Sequence, residues 1–279
     1  LVSLNLETNQ LTHLNASFFA ELNKLTTLVL DRNKFIVHPD ITVLPTGSNL
    51  QTVYVRTMSS LAFVPELFFK NRENLREFQV NNGSGLQKLP EFTGLTAPNS
   101  LEILHICHTS IGFINGTFFI NMTNLKYLYL YNNKFVALPD YMGKLNEHYL
   151  LLLVIHLQAN KIQAMPETFF LNIPNLQHLT VDSQNPQMRY FPFVGACKKS
   201  LTYLNLNYND IENITLAAVL NNQDNETYKA EMVLREFYIQ GNQLKTIPNE
   251  VMALMTKLYV VDIRLNPFEA TPDFSPAHG

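Results

Sequence analysis

Tyrosine and histidine side chains recur in this sequence between residues of a regular leucine pattern. Eleven short segments each have one residue between two apolar positions of the pattern. In order along the chain, these residues are Asn5, Val29, Tyr54, Gln79, His105, Tyr129, His156, Thr180, Asn205, Tyr238 and Asp262. Tyrosine joins a wide apolar ring to a hydrogen-bonding hydroxyl, and histidine adds a titratable nitrogen. The chemistry that these residue types offer is therefore contact with a partner, metal ligation or acid–base catalysis.

Metal ligation is the first of these functions to test against the spacing. His105, His108, His156 and His178 come from segments that would lie near each other on adjacent strands about 4.8 Å apart. His156 would nevertheless lie two strands from His105, and only Cys107 offers a further ligand nearby. Metal sites in proteins show tighter ligand spacing. We therefore expect no metal and no cofactor, while a pH-sensitive interface built from these imidazoles remains open.

Catalysis is the second function, and the sequence offers no constellation for it. It contains no G-x-S-x-G nucleophile turn, no phosphate-binding loop, no H-E-x-x-H motif and no glycine-rich dinucleotide loop. The Asp and Glu residues are scattered over different turns. We expect no catalytic residue and no enzymatic activity.

An internal repeat positions all of these side chains. The pattern L-x-x-L-x-L-x-x-N-x-L occurs eleven times, in steps of 24 to 27 residues with one step of 33. Its L-x-L centre predicts a short strand, because side chains alternate between the two faces of a strand. Repeats of this length stack on their neighbours as a solenoid. The copies start at residues 1, 25, 50, 75, 101, 125, 152, 176, 201, 234 and 258.

An asparagine follows most of the predicted strands, where its amide can satisfy backbone groups that a turn leaves unpaired. It is present as Asn9, Asn33, Asn133, Asn160, Asn209, Asn242 and Asn266. Met58, Gly83, Thr109 and Gln184 replace it, and we expect local irregularity there. Four double phenylalanines recur about every 50 residues, and we expect one ring of each to enter the core: Phe18-Phe19, Phe68-Phe69, Phe118-Phe119 and Phe169-Phe170.

The repeat resembles the leucine-rich-repeat superfamily over essentially the whole chain. The 24-residue step and the P-x-x-x-F element, as in Pro166 to Phe170, resemble its extracellular, animal-type class. The resemblance implies an α/β repeat solenoid: a right-handed leucine-rich-repeat horseshoe with a parallel concave β-sheet of about eleven short strands and an irregular convex side. It also implies recognition of partners, usually proteins. We assign residues 1–268 to the solenoid and residues 269–279 to a proline-containing tail or linker.

Neither end carries the cysteine-rich cap that the resemblance would suggest. Asn266-Pro267-Phe268 is similar to the start of a C-terminal cap, but the cap cysteines are missing. Uncapped solenoid ends expose core leucines, so we expect both ends to continue into, or be covered by, other domains or subunits. Cys107 and Cys197 stand in different repeats, and we expect free thiols.

Six N-x-S/T sequons bear on the cellular compartment: Asn15, Asn82, Asn115, Asn121, Asn213 and Asn225. Asn15 and Asn115 stand where Pro166 stands in its own repeat, a place that faces outward if proline is tolerated there. Asn225 falls in the 33-residue repeat, inside an apparent insertion. A glycan at these exposed places would disturb the packing of the fold little. They favour a secreted protein or a cell-surface ectodomain over a cytosolic protein.

Composition excludes two classes of partner. The net charge is −3 and charged residues make up 15%, without a cluster of Lys and Arg, so we expect no nucleic acid. The longest apolar run, from Tyr149 to Ile155, is far shorter than the roughly 20 residues that span a bilayer. We therefore expect no direct membrane insertion in this segment.

The predicted concave face is the candidate surface for a protein or glycoprotein partner. The residues that we assign to it are Tyr54, His105, Tyr127, Tyr129, Tyr131, His156, His178, Tyr203 and Tyr238. Three hypotheses remain: an extracellular recognition module that uses this face, a structural subunit or rigid spacer that uses its edges, and an intracellular scaffold. Stacking of the rings on each other as ladder pairs would also explain their presence without a partner.

Overall fold

A computed structural model describes residues 1–65, 67–88, 95, 99–140, 151–220 and 232–274. Its strands form one parallel sheet of eleven, in which each strand pairs with its neighbours in chain order. This confirms the predicted leucine-rich-repeat architecture. The strands are β1 Ser3–Asn5, β2 Thr27–Val29, β3 Thr52–Arg56, β4 Glu77–Asn81, β5 Ile103–Cys107, β6 Tyr127–Tyr129, β7 Val154–His156, β8 His178–Thr180, β9 Tyr203–Asn205, β10 Glu236–Tyr238 and β11 Val260–Asp262.

The middle residue of each short strand points into the core. Leu128 pairs in register with Leu104 on one side and with Ile155 on the other, and all three are buried. The row continues through Leu179, Leu204 and Phe237. Each repeat thus closes the core of the one before it, which is how a solenoid buries apolar surface without a large globular interior.

The return half of each repeat is mostly turns and loops. Among the described residues it includes two 3-10 helices, Ala16–Phe19 and Val194–Cys197, and two helical turns, α1 Leu216–Val219 and α2 Asn249–Met252. None of these helices has the length or apolar character needed to cross a membrane. Cys107 and Cys197 are both buried free thiols, as expected.

The double phenylalanines depart from the expectation of one buried ring per pair. Phe19 is buried while Phe18 is 45% exposed, as predicted. Both Phe68 and Phe69 are buried, however, and so are both rings of the pair at 169–170. Phe68 is covered by the imidazole of His38, whose centroid lies 4.3 Å away in an edge-to-face contact. The preceding repeat thus supplies a cover that the spacing of the phenylalanines does not reveal.

The repeat asparagines form a ladder of hydrogen bonds between turns. Asn160 Nδ2 donates to the Leu130 carbonyl of the preceding repeat at 2.9 Å and to its own Leu157 carbonyl at 2.8 Å. Its Oδ1 accepts from the backbone N–H of Phe135 at 3.2 Å. Equivalent bonds are made by Asn33, Asn133, Asn209, Asn242 and Asn266. Each amide therefore satisfies backbone groups in two repeats.

The residue before each ladder position has a left-handed backbone. In all eleven repeats its φ lies between +53° and +69°, and only Gly241 in this set is a glycine. Such a conformation costs an L-residue roughly 1–2 kcal/mol. It persists because the surrounding hydrogen bonds determine it. The other members are Thr8, Arg32, Thr57, Asn82, His108, Asn132, Ala159, Ser183, Tyr208 and Leu265.

The sheet remains regular where the asparagine is replaced, contrary to expectation. β3, β4 and β5 belong to repeats with Met58, Gly83 and Thr109, and these three strands pair with each other over five residues in register. In the repeat of β8, Gln184 takes over the amide role. Its Nε2 donates to the Leu157 carbonyl and its Oε1 accepts from the Ile162 N–H, both at 2.9 Å.

Removing one ladder amide should destabilise the fold. In Asn160→Ala, the buried Phe135 N–H loses its acceptor, and the Leu130 and Leu157 carbonyls each lose one of two amide donors. We expect the free energy of unfolding to fall by about 2 kcal/mol. Asn9→Ala is the matched control, because Asn9 holds the same place in the first described repeat, is exposed and donates only within its own turn. Urea denaturation measures the free energy of unfolding of both variants. An equal decrease in the two would contradict hydrogen bonds that stabilise the fold between repeats.

His38 is a second buried polar group, on the return side. Its side chain is 1% exposed, and one ring nitrogen, Nδ1, lies 2.7 Å from the Pro39 carbonyl while Nε2 has no partner among the described residues. Burial away from water lowers the pKa of His38 from 6.5 to about 4, and the contacts with Pro39 and Asp40 oppose the shift only in part. The imidazole therefore folds in its neutral form.

This burial predicts acid sensitivity. The unfolded chain binds a proton at His38 below pH 6.5 and the folded chain does not, so stability is complete above 6.5 and declines as pH falls towards 4. We expect His38 to contribute a slope of about 1.4 kcal/mol per pH unit in that window. His38→Phe should remove this slope, and substitution of the exposed His13 by Phe should preserve it. Denaturation series at several pH values would contradict the assignment if His38→Phe kept the wild-type slope.

Candidate partner-binding face

The residues between the inward-pointing positions stand in one row across the sheet. Strand register places Gln79 beside His105, His105 beside Tyr129, and Tyr129 beside His156. They project from the face opposite to the buried core residues, because side chains alternate along a strand. We call this the central row. Its members belong to different repeats and come together only through strand pairing.

Three rings of the central row contact each other in sequence. The imidazole of His105 stacks on Tyr129, with centroids 4.0 Å apart and planes inclined by 25°. Tyr129 meets His156 edge to face at 5.0 Å. All three side chains are half-buried rather than fully exposed, because each ring is covered by the next.

A second ring cluster follows on the next strands. His178 stacks on Tyr203 at 5.5 Å with planes inclined by 17°, and Tyr203 lies 5.3 Å from Tyr238. The Tyr238 hydroxyl donates to Glu236 at 2.9 Å. The central-row member between the two clusters, Thr180, is buried. Six of the nine predicted face residues therefore form two ring clusters, each held by contacts between repeats.

The other predicted face residues have separate surroundings. Tyr131 contacts His108 edge to face at 5.4 Å, and Tyr127 is half-buried on β6. Tyr54 lies apart from both clusters: its hydroxyl donates to Glu77 at 3.0 Å, and the guanidinium of Arg56 lies 4.5 Å from its ring centroid.

Burial lowers the pKa of two imidazoles in the central row. Burial lowers the pKa of His105 from 6.5 to about 4, opposed only in part by Glu77, and burial also lowers the pKa of His156. His105 therefore stays neutral between pH 5 and 7, which argues against a switch at this residue in that range. Within the described ranges, no group of three or more His, Cys, Asp or Glu side chains is arranged to hold a metal ion.

Four of the predicted glycosylation sites are exposed residues: Asn15, Asn82, Asn115 and Asn213. Asn15 Oδ1 accepts from the Ser17 N–H at 3.1 Å, and Asn115 Oδ1 does the same with Thr117. Both side chains therefore act as turn caps through oxygen, while the nitrogen that would carry a sugar is not used in these bonds. Asn121 is half-buried, and Asn225 lies outside the described residues.

Sequence reasoning missed a polar hollow at the N-terminal end of the concave side, which we call the rim hollow. It has a volume of about 530 Å³. Its walls come from the last residues of the first strands and from the left-handed residues that follow them. They are Glu7, Asp31, Arg32, Arg56, Thr57, Asn81, Asn82 and His108. The signal was present as charged residues that recur just after consecutive predicted strands.

Comparison with known proteins supports the same architecture. A family model described as leucine rich repeat matches residues 99–147. Human lumican is 25% identical over 254 residues, which cover 87% of this chain. Together with eleven repeats on one parallel sheet, these matches support the leucine-rich-repeat assignment. The chain has the leucine-rich-repeat fold.

This leucine-rich-repeat chain spans less than two thirds of the first relatives that it matches. It covers 64% of human lumican. The human leucine-rich repeats and immunoglobulin-like domains protein 3 is 27% identical over 199 residues, covering 70% of this chain and 15% of that protein.

A solved complex contains a chain of the same fold. The octameric complex of Latrophilin 3, Unc5D and FLRT2, with FLRT2 as its leucine-rich-repeat component, includes a chain that superposes with a TM-score of 0.62. The match covers 97% of this leucine-rich-repeat chain and 77% of the other at 17% identity, and it shows the shared fold.

The stacked environment of His105 predicts its titration. In an NMR titration of the imidazole carbons, we expect His105 to have a pKa of about 4 because its ring is desolvated under Tyr129. Tyr129→Ala should expose the ring and raise this pKa towards 6.5. Tyr259→Ala is the control, because this tyrosine is exposed directly before the last strand, and it should leave the pKa of His105 unchanged. A midpoint near 6.5 in the unmodified chain would contradict the assignment.

Proposed function

We propose that this chain is a non-enzymatic extracellular module that recognises a protein or glycoprotein partner through the two ring clusters of its concave face. The observation that carries the proposal is the unbroken contact from His105 through Tyr129 to His156. Rings that are already held by their neighbours lose little conformational freedom when a partner docks. The face is thus ordered before binding.

The arrangement of the rings indicates what they can bind. Because His105 and Tyr129 cover each other's faces, their edges and polar atoms are the parts that remain available to a partner. Ring edges carry positive partial charge and the tyrosine hydroxyls can donate hydrogen bonds. A partner segment that presents carbonyl or hydroxyl oxygens beside small apolar groups fits this surface.

Two findings support an extracellular setting. Asn15 and Asn115 are exposed sequons at equivalent places in their repeats, and their cap hydrogen bonds use only the amide oxygen. The similarity to lumican is consistent with an extracellular location for this chain. This supports a secreted protein or a cell-surface ectodomain over an intracellular scaffold.

A structural role remains the second candidate, because exposed apolar side chains also lie away from the concave face. Phe113 is 71% exposed and Val136 is 56% exposed, in successive repeats beyond the ends of their strands. Ile36 and Phe63 form a similar exposed group nearer the N-terminus. A rigid subunit of a larger assembly would make its contacts through such edges and leave the concave face idle.

Paired variants separate the two candidates. We expect Tyr129→Ala with His156→Ala to weaken partner capture at least about 30-fold, because hot-spot truncations at interfaces cost about 2 kcal/mol or more. Tyr190→Ala with His13→Ala is the matched control, since both of those side chains are exposed outside the face. Phe113→Ala with Val136→Ala, the edge variant, tests whether the exposed apolar side chains beyond the strand ends bind the partner.

Binding is measured with the immobilised chain and proteins from the medium of cells that express it, after circular dichroism has shown that each variant folds. Loss of capture in the edge variant, with full capture by the concave variant, would overturn the proposal in favour of the structural role. Loss in the control pair as well would show that the capture is not specific to either surface.

A further inference from the structure

The rim hollow is a built site that the ring clusters do not use. Asp31 is 3% exposed, and its Oδ1 accepts from the backbone N–H of Arg56 at 2.7 Å. Its Oδ2 accepts from Arg56 Nε at 2.7 Å and lies 2.6 Å from a second guanidinium nitrogen. One wall is therefore fixed by three contacts between Asp31 and Arg56, two of them from the guanidinium group to a single carboxylate oxygen.

The formal charges of the lining cancel. Two carboxylates, Glu7 and Asp31, face two guanidinium groups, Arg32 and Arg56. Arg32 Nη1 lies 3.6 Å from Glu7 Oε1, and both of these side chains are partly exposed. An anionic ligand would meet the carboxylates, and a cationic ligand would meet the guanidinium groups. The hollow favours neither charge.

An uncharged ligand with many hydroxyl groups fits such a wall best. Carboxylates accept hydrogen bonds, guanidinium groups donate them, and the amide of Asn81 can do both. Sugar rings carry hydroxyls that act as donor and acceptor at once. The volume of about 530 Å³ lies within the range of small-ligand sites, roughly 300–1,000 Å³. The chemical class that this site would take is a neutral saccharide.

The hollow also contains an attachment point for a saccharide. Asn82 forms part of its wall and begins the sequon Asn82-Gly83-Ser84. Asn82 is exposed with a φ of +58°, and its side chain makes no hydrogen bond to the described part of the chain. It stands between Thr57 and His108 in the row of left-handed residues, where neighbouring strands are about 4.8 Å apart.

The geometry points to the rim hollow as the seat of the first sugars of an N-glycan carried by Asn82. This inference rests on the extracellular setting of the proposed function. A sugar attached at Asn82 lies within reach of Arg32 without any change in the backbone, because about 10 Å of sheet separates the two residues. The seated glycan closes the N-terminal part of the concave side and leaves the ring clusters for the partner.

Resistance of the glycan to enzymatic removal tests this seat. The chain is secreted from cultured mammalian cells, and site occupancy is measured by peptide mass spectrometry. Release by peptide N-glycosidase is then followed under native conditions. We expect the Asn82 glycan to be released at least about ten-fold more slowly than the Asn115 glycan, since a tenfold change corresponds to about 1.4 kcal/mol of seating.

Two arginine variants control for access by the enzyme. Arg32→Ala removes a wall of the hollow and should accelerate release at Asn82 about five-fold or more, as loss of a charge-assisted hydrogen bond predicts. Arg189→Ala is the matched control: both arginines are exposed and loosely paired, to Glu7 at 3.6 Å and to Asp210 at 3.8 Å. It should leave the release rate unchanged.

Each remaining outcome decides one of the two claims. An empty Asn82 beside occupied Asn15 and Asn115 overturns the seat and leaves the extracellular setting intact. An occupied Asn82 that is released as fast as Asn115, or that does not respond to Arg32→Ala, also overturns the seat. If all sequons of the chain isolated from its own source are unmodified, the extracellular setting fails first and the seat fails with it.

Discussion

Backbone groups in the turn after each strand must find hydrogen-bond partners away from water, and the rest of this structure depends on how they do so. The turn requires a left-handed residue, which in ten of eleven repeats is not glycine. The asparagine that follows offsets this cost by bonding backbone atoms of its own repeat and of the preceding one. Where Gln184 stands instead, one more methylene still lets the amide reach the same kind of groups. Stacking between repeats is therefore polar at the turn and apolar at the strand.

That constraint makes the concave side a fixed surface. Strands held in one register place side chains from distant parts of the sequence at intervals of about 4.8 Å, which is close enough for aromatic rings to touch. His105, Tyr129 and His156 use this spacing to form a continuous contact. The contact joins three repeats, so the shape of this surface belongs to the row rather than to a single repeat.

The concave side divides into two regions of different chemistry. The first repeats carry the charge-balanced walls of the rim hollow, in which Asp31 and Arg56 hold each other. The later repeats carry the two ring clusters, with few charged side chains between them. The two regions use different positions of the repeat: the hollow is lined by strand ends and by the left-handed residues that follow them, whereas the rings stand earlier on their strands. One solenoid can thus offer a saccharide-type site and an aromatic contact surface side by side.

The sequence by itself determined the strands, their inward residues and the identity of the concave face, because side-chain alternation and the repeat period are local properties. It also determined which asparagines would serve the turns. The tertiary structure alone decided which rings would stack, that Phe68 would be buried under His38, and that Asp31 and Arg56 would build one wall of a hollow. It also decided that buried Arg72 would donate to the carbonyls of a loop about 30 residues earlier in the chain. These outcomes depend on side-chain directions and loop paths in neighbouring repeats, and such contacts leave no periodic trace in a single sequence.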